Sequence, residues 1–146
     1  MTKRRSLQLL AATGVFVAGF SLGIAFQPRV VTAQGSGTVF ELRTYTAPEG
    51  KLGDLQKRFR DHTIRIFNRH GMKSIGYWVP QDAPMSQNTL IYILQHPNRE
   101  AAKKNWAEFQ ADPEWKKVSD ESQVNGRIVA NVVSVFMDAA DYSPIK

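Results

Sequence analysis

Cysteine is absent from the 146 residues, which excludes disulfides, thiolate metal sites and cysteine nucleophiles. Histidine is scarce, and the spacings among His62, His70 and His96 do not match those of paired metal ligands on one helix. The sequence also lacks a glycine-rich phosphate loop and the nucleophile elbow of serine hydrolases. We therefore expect neither a metal nor a cofactor.

The positive charge is unevenly distributed. Of 19 basic residues, four lie in the first 33 positions, which hold no acidic residue, and the rest of the chain balances 15 basic against 13 acidic residues. A nucleic-acid-binding domain concentrates positive charge on its folded part. The distribution therefore argues against nucleic acid as a partner.

The first 33 residues have the three-part layout of an export signal. A basic start at Lys3, Arg4 and Arg5 precedes an apolar run from Leu7 to Phe26 and the small-residue site that ends at Ala33. We predict cleavage after Ala33 and a periplasmic or extracellular protein. An uncleaved membrane anchor is the alternative, because the run is about the ~20 residues needed to span a bilayer. The paired arginines leave open whether export uses the general or the twin-arginine pathway.

A flexible linker, residues 34–38, is predicted to precede one domain over residues 39–138, followed by a tail over 139–146. Residue patterns predict strands at 39–46, 74–79, 89–95 and 128–137, helices at 51–70, 99–111 and 113–121, and a loop at 81–88. Pro113 breaks the second helical region into its two pieces, and the Asp112 carboxylate is predicted to cap the second piece. Asn98 is predicted to cap the helix at 99–111, and Gly71 is predicted to end the helix at 51–70 as a left-handed cap residue. The order β-α-β-β-α-β predicts an α+β, ferredoxin-like fold with a broken second helix.

The third and fourth predicted strands are apolar on both faces. Helices cover only one face of such a sheet, so the other face needs a partner. We expect a homodimer in which two sheets face each other to form an α+β barrel. Tyr77 and Trp78 alternate along the second strand, so one of them is expected to face that partner.

The first predicted helix has a narrow apolar stripe. Its members recur at intervals of three and four residues: Leu52, Leu55, Phe59, Ile66 and His70. His62 lies at the edge of the stripe, and an imidazole there could act as acid, base or ligand. The alternative is structural, with His62 half-exposed and His70 bonding the end of its helix. Asp61 is expected on the outer face, paired with Arg58 or Arg65.

The first strand places Glu41, Arg43 and Tyr45 on one face. They can orient a ligand, or Glu41 and Arg43 can form an ion pair that fixes strand register or the dimer seam. For catalysis, His62, Arg43 and Tyr45 are the candidates. The predicted ligand-binding cleft between helices and sheet is lined by Glu41, Arg43, Tyr45, Phe59, His62, Ile66, Trp78, Tyr92 and Trp106.

Several short motifs in order resemble the NIPSNAP family across residues 39–137. They are the segments 41–45 (ELRTY), 50–52 (GKL), 70–71 (HG), 76–78 (GYW) and 111–115 (ADPEW). The resemblance implies a dimeric α+β barrel. The resemblance implies no particular reaction or ligand. Eukaryotic members are linked to mitochondria, vesicle traffic and protein–protein contacts, and we do not transfer these organelle roles to this chain. This chain differs from them in its single domain and its export leader.

We therefore expect an exported, dimeric module that binds a small organic molecule or another protein. The alternative is a small cofactor-independent enzyme, monooxygenase-like or isomerase-like, which acts on an organic molecule in the helix–sheet cleft. The same barrel serves such enzymes, but that is an analogy by fold alone.

Overall fold

The structure is a computed structural model that describes residues 37–146. The predicted leader and residues 34–36 of the predicted linker lie outside the described residues. No helix in the described part is long and apolar enough to cross a membrane. The elements in chain order are β1 (Val39–Thr46), α1 (Leu52–Arg58), a π-helical segment (Phe59–Thr63), α2 (Ile64–Arg69), β2 (Lys73–Trp78), α3 (Met85–Asn88), β3 (Thr89–His96), α4 (Arg99–Ala111), α5 (Pro113–Glu121) and β4 (Asn131–Met137).

The strands form one four-stranded sheet in the order β2-β3-β1-β4, with every pair antiparallel. This arrangement confirms the predicted ferredoxin-like α+β fold. The register places Arg43 of β1 opposite Tyr92 of β3 on one side and opposite Ser134 of β4 on the other. Polar residues of three neighbouring strands are thereby brought together.

The core lies between the helices and one face of the sheet. Tyr92 is fully buried at its centre, and its ring packs against Tyr45, Phe59, Phe67 and Tyr77 at centroid distances of 5.1–6.0 Å. Such edge-on and offset aromatic contacts add to the gain from burying the rings. We call this side of the sheet the helix face.

The first helical region differs from the continuous helix predicted over 51–70. It starts at Leu52, and a π-helical segment separates α1 from α2. Thr63 stabilises the wider turn by donating its hydroxyl proton to the carbonyl of Arg58 at 3.2 Å. A π-turn adds a residue to the helical turn and shifts the faces that follow it. Sequence periodicity assumes a regular helix, so it could not predict this interruption.

Arg58 shows a second departure from the helical pattern. It was expected on the outer face near Asp61, but it is buried and donates a hydrogen bond to Ser122 Oγ at 3.3 Å. Asp61 pairs instead with Lys57, and Arg65 pairs with Glu114. Asp61 is exposed, as predicted, but the predicted ion-pair partners were wrong.

The predicted strand boundaries need small corrections. β4 starts at Asn131 rather than residue 128, although Ile128 is buried in the core. β2 covers Lys73–Trp78, β3 extends to His96, and the predicted loop contains the short helix α3. Val133 and Val135 of β4 are exposed, which agrees with the expectation that the helices leave one apolar face of the sheet uncovered.

Three predicted helix ends are confirmed. Asn98 caps α4 by accepting a hydrogen bond from the Ala101 amide at 2.7 Å. Asp112 caps α5 by accepting from the amides of Glu114 and Trp115. Gly71 ends the first helical region at a φ of +69°, a backbone conformation that favours glycine.

None of the helices in residues 37–146 covers the second face of the sheet, and we call it the open face. Its apolar members include Val133, Val135 and Trp78, which are 47–49% exposed. The C-terminal tail reaches one end of this face, where Gln95 Nε2 donates to the Lys146 carbonyl at 3.3 Å. The open face comprises Phe40, Leu42, Thr44, Trp78, Ile91, Ile93, Gln95, Val133, Val135 and Met137.

Candidate functional site

Glu41 is the centre of a buried polar network on the helix face, with only 1% of the residue exposed. Its Oε1 accepts from Arg43 Nη1 at 2.6 Å and from Ser134 Oγ at 2.7 Å. Its Oε2 accepts from Trp106 Nε1 at 2.7 Å and lies 3.0 Å from His96 Nε2. A carboxylate offers about four acceptor positions. All of them are therefore used, and they join three strands to α4.

These contacts determine the charge of Glu41. Burial alone would raise its pKa, but hydrogen bonds from His96, Ser134, Trp106 and Arg43 outweigh that effect and lower the pKa to about 2. The group is therefore a carboxylate at neutral pH. The pair with Arg43 lies on the helix face of the sheet, next to Trp106 of α4.

Arg43 is held from several sides. Its Nη1 donates to Glu41, its Nη2 donates to the Tyr45 hydroxyl at 3.3 Å, and its guanidinium lies 4.2 Å above the Trp106 ring. Its buried Nε has no hydrogen-bond partner among residues 37–146. Burial would lower the pKa of Arg43, but interactions with Tyr45, Tyr92 and Glu41 raise it, so the group remains a fixed cation.

An open cleft of about 580 Å³ lies where α4 faces β1 and β4. We call it the α4 cleft. Arg43 and Glu41 line its sheet side, and Arg99 and Lys103 line its helix side. The Arg99 guanidinium stacks 3.6 Å from the centre of the Phe136 ring, which fixes its position. The full lining is Glu41, Arg43, Arg99, Glu100, Lys103, Trp106, Ser134 and Phe136.

A second group of polar side chains lies deeper in the core, next to Arg43. The phenols of Tyr45 and Tyr92 lie within electrostatic range of both Arg43 and Arg58. In the part of the chain that the structure describes, the buried Tyr92 hydroxyl and the Nε of Arg58 have no hydrogen-bond partner. Burial raises the pKa of Tyr92 well above its ordinary value, so its hydroxyl stays protonated.

The structure brings most of the predicted cleft residues together. Those that share the helix face or pack directly on it are Glu41, Arg43, Tyr45, Phe59, Ile66, Tyr92 and Trp106. Among them, Ile66 is wholly buried in the core and lines none of the clefts described here.

The predicted location in the helix–sheet cleft was wrong for two residues, Trp78 and His62. Trp78 lies on the open face, because it alternates with Tyr77, whose ring packs on Phe59 and Tyr92. His62 is exposed and lines a different, shallow cleft near Ser122. The π-helical segment that contains His62 turns it away from the sheet.

His70 has a structural role, but through a different partner from the one expected. Its Nε2 lies 2.7 Å from Asp112 Oδ2, and Arg69 also pairs with Asp112. Glu114 adds contacts to Arg65 and Arg69, which lower its pKa to about 2. This cluster fixes the break between α4 and α5 to the end of α2.

Comparison with known proteins identifies the family. Residues 40–144 match the NIPSNAP family. The chain belongs to the NIPSNAP family. No match was found among curated proteins.

Solved structures of other NIPSNAP proteins share the fold of this domain. A NIPSNAP-like domain protein from Burkholderia xenovorans is 17% identical with a TM-score of 0.65, over 75% of this chain and 90% of that one. A NIPSNAP family protein of unknown function from Agrobacterium tumefaciens is 22% identical with a TM-score of 0.65, over 75% and 94%. A second protein from that organism is 20% identical with a TM-score of 0.66, over 75% and 99%. At these identities the likeness supports the fold alone.

Sequence reasoning missed several residues of the NIPSNAP domain's polar network. His96 lies on the same face as Tyr92, two positions along the alternation, but the predicted strand stopped at residue 95. Ser134 alternates with apolar neighbours in β4, and only the strand register places it next to Glu41. Register depends on long-range pairing, so the sequence offered no direct signal for these contacts.

Proposed function

We propose that this NIPSNAP domain is a homodimer that binds a small organic anion in the α4 cleft. The observation that carries the proposal is the state of Arg43. Glu41 and Tyr45 accept hydrogen bonds from its two terminal nitrogens, while its buried Nε has no acceptor among the described residues. An unmatched buried donor favours a ligand that brings an acceptor oxygen.

The charges of the cleft support an anion. Glu41 is already matched by its own donors. Within the described residues, Arg99 and Lys103 form no ion pair within 4 Å, and Glu100 is the one lining carboxylate without such a pair. The unpaired cations thus outnumber the unpaired acid. An entering carboxylate would meet positive charge on both sides of the cleft.

The walls of the cleft favour an organic ligand over a bare ion. Trp106 and Phe136 supply aromatic surface, and each already supports a guanidinium group through stacking. A volume of about 580 Å³ is sufficient for a molecule the size of a substituted benzene ring. A ligand with a carboxylate and an apolar body fits both features.

A thermal-shift assay tests this proposal with a matched pair of compounds. Phenylacetate carries the charge, and phenylacetamide has nearly the same shape without it. We expect phenylacetate to raise the melting temperature and phenylacetamide to have little effect. The shift should fall in Arg99→Gln and persist in Lys104→Gln, which changes an exposed lysine of the same helix outside the cleft. Equal shifts from both compounds would contradict an anion site.

The open face supports the homodimer. The exposed Val133 and Val135 of β4 continue across Leu42 of β1 to Ile93 of β3, so one apolar surface crosses the sheet. Soluble monomers rarely leave such a surface in water. A second copy with the same surface, related by a two-fold axis, would cover it. Neighbouring NIPSNAP structures share the fold, which is compatible with this geometry.

A cofactor-independent enzyme is the second candidate function. The observation in its favour is the contact between Glu41 and His96, since a carboxylate that holds an imidazole is a common arrangement for proton transfer. The test is whether substitution of His96 abolishes conversion of a compound that the protein binds. Conversion that survives in His96→Gln would count against this candidate.

We also propose that the protein is exported and processed after Ala33. The support is the sequence layout of the leader. Mass spectrometry of the protein from the exported fraction is expected to find Gln34 as the first residue. Retention of Met1 would instead indicate a membrane anchor.

A further inference from the structure

Arg58 is a buried cation without a carboxylate partner among residues 37–146. Only 6% of the residue is exposed, and its guanidinium lies 5.1 Å from the centre of the Trp115 ring. Its Nη1 donates to Ser122 Oγ at 3.3 Å, while Nε is enclosed without an acceptor and Nη2 makes no hydrogen bond within the same residues. Nε and Nη2 form one edge of the guanidinium. Such an edge matches the two oxygens of a carboxylate.

The surroundings of Arg58 neutralise its charge only in part. Burial lowers the pKa of Arg58, whereas the contacts of Arg43, with Glu41 among them, outweigh burial and raise the pKa of that group. Ser122 ends α5, and the carbonyl end of a helix supplies only about half of a negative charge. Burying a charge without a full partner is costly. A carboxylate that reached Arg58 would offset that cost.

Arg58 lines an open cleft of about 260 Å³ between the first helical region and the end of α5, the same cleft that His62 borders. We call it the α1–α5 cleft, and it shares no lining residue with the α4 cleft. Its volume is smaller than the ~300–1,000 Å³ of sites for drug-sized ligands, so it suits a smaller molecule. Its lining includes Asp54, Arg58, Asp61, Val118, Glu121 and Ser122.

The carboxylates of the α1–α5 cleft lie closer to solvent than Arg58. The side chains of Asp54 and Glu121 are 56% and 65% exposed. Asp54 and Asp61 each have a lysine within hydrogen-bond distance. Glu121 has Lys117 at 3.8 Å, which is too long for a hydrogen bond, and such an exposed pair contributes little. Glu121 is therefore available to a ligand cation.

Arg58 and Glu121 border the same space from two different helices. Ser122, the residue after Glu121, contacts Arg58 directly, yet the Glu121 carboxylate stays more than 4 Å from the guanidinium. The cleft thus has a buried positive end and an exposed negative end a short distance apart. A free amino acid carries the complementary pair, because its carboxylate and its ammonium are attached to one carbon atom.

We propose that the α1–α5 cleft binds a small free amino acid. Its carboxylate accepts from Arg58 Nη2, and its ammonium donates to the Glu121 carboxylate. The exposed carboxylates disfavour a simple anion, and the buried guanidinium disfavours a simple amine, so the zwitterion is preferred to either. The proposal does not depend on the anion site in the α4 cleft.

The first test compares L-alanine with two close analogues. Lactate replaces the ammonium with a hydroxyl, and L-alaninamide replaces the carboxylate with a neutral amide. Nitrogen-15 NMR follows the backbone amides of Ser122 and Asn125, on the full chain expressed with its leader and purified as the cell processes it. We expect saturable shifts with alanine and an affinity about tenfold above that of either analogue, the size of one charge-assisted hydrogen bond.

The second test changes the protein at each end of the proposed site. Glu121→Gln should reduce the affinity for alanine to that for lactate, since the ammonium loses its acceptor. Glu108→Gln is the matched control, because Glu108 forms an equally exposed pair with a lysine of α4 at 3.7 Å outside the cleft. Arg58→Lys keeps the charge but loses the planar edge, and it should weaken alanine binding. If that variant does not fold, the two exposed variants still decide.

Three results would overturn the proposal. One is equal affinity for alanine, lactate and alaninamide, or no saturable shift with any of them. Another is an alanine affinity that is the same in Glu121→Gln and Glu108→Gln. The third is an alanine response that survives Glu121→Gln but disappears in Lys103→Gln, because the amino acid would then occupy the α4 cleft.

Discussion

Glu41 and His96 lie on neighbouring strands, 55 positions apart in the sequence, and their side chains meet at 3.0 Å inside the core. The antiparallel register makes them diagonal neighbours, because Val39 stands opposite His96. Trp106 donates to the same carboxylate oxygen from α4. One buried carboxylate therefore ties two strands and a helix together, and the stability of the fold should respond to its charge.

Glu41→Gln is expected to reduce stability at neutral pH and to flatten its dependence on acid. The Glu41 pKa is about 2 in the folded protein against an ordinary value of 4.5. A depressed pKa stabilises the fold above the ordinary value and loses that stabilisation as the pH falls toward 2. The loss should be on the order of 2–3 kcal/mol. Urea unfolding between pH 7 and 2.5 measures it.

The control for that experiment is Glu100→Gln, which changes an exposed carboxylate of the α4 cleft that lies outside the network. Some acid dependence should remain in Glu41→Gln, because the pKa values of Asp112 and Glu114 are also depressed. If the two variants lost stability in parallel over the whole range, Glu41 would not be the buried charge described here.

Trp106→Phe should destabilise the fold by about 2 kcal/mol. The ring that packs on Phe67 and Phe109 is retained in part, but the donor to Glu41 is lost, and hydrogen bonds to charged groups carry about 1.5–3 kcal/mol. Chemical denaturation provides the measurement. Trp78→Phe on the open face is the matched control, since its indole donates no hydrogen bond within residues 37–146 and is half-exposed. Similar losses in both variants would mean that the Trp106 hydrogen bond contributes little.

Asp112→Ala should cost about 1–2 kcal/mol, because it removes the cap of α5 together with the contacts to Arg69 and His70. Asp112→Asn keeps an oxygen that can accept from the Glu114 amide, so its loss should be smaller. Thermal unfolding of the two variants side by side separates the cap from the charge. A larger loss in Asp112→Asn would contradict the capping role.

Val135→Glu should break the proposed dimer. A charge in the middle of the open face would have to be buried without a partner when two copies meet. Sedimentation at micromolar concentration should find dimers of the unaltered protein and monomers of this variant. Val124→Glu, in the exposed turn before β4, is the control and should remain dimeric. An unaltered protein that sediments only as a folded monomer rules out the dimer.

The sequence predicted the fold well because its signals are local. Alternation in β1 and β3, the cap residues Asn98 and Asp112, and the turn at Gly71 each depend on a few neighbouring residues. Together they were sufficient for the element order. The family resemblance over residues 39–137 agrees with the match that extends over 40–144.

The candidate site was only partly predictable because it depends on long-range geometry. Alternation placed Glu41 and Arg43 on one face, but it could not say that this face meets the helices. Arg58 and His62 lie at and within the π-helical segment, and they point in other directions than a regular helix would give them. Helical periodicity assumes a regular turn, so it could not predict their directions. His96 was considered only as a metal ligand, and its role became visible once the register brought it to Glu41.

Isothermal titration with phenylacetate tests the central claim, which is anion binding in the α4 cleft. Three proteins are compared: the unaltered protein, Lys103→Gln in the cleft, and Lys104→Gln beside it on the exposed side of α4. The account predicts saturable binding that weakens at higher salt, falls severalfold in Lys103→Gln, and is unchanged in Lys104→Gln. Binding of equal strength in all three proteins, or no binding in any of them, would contradict it.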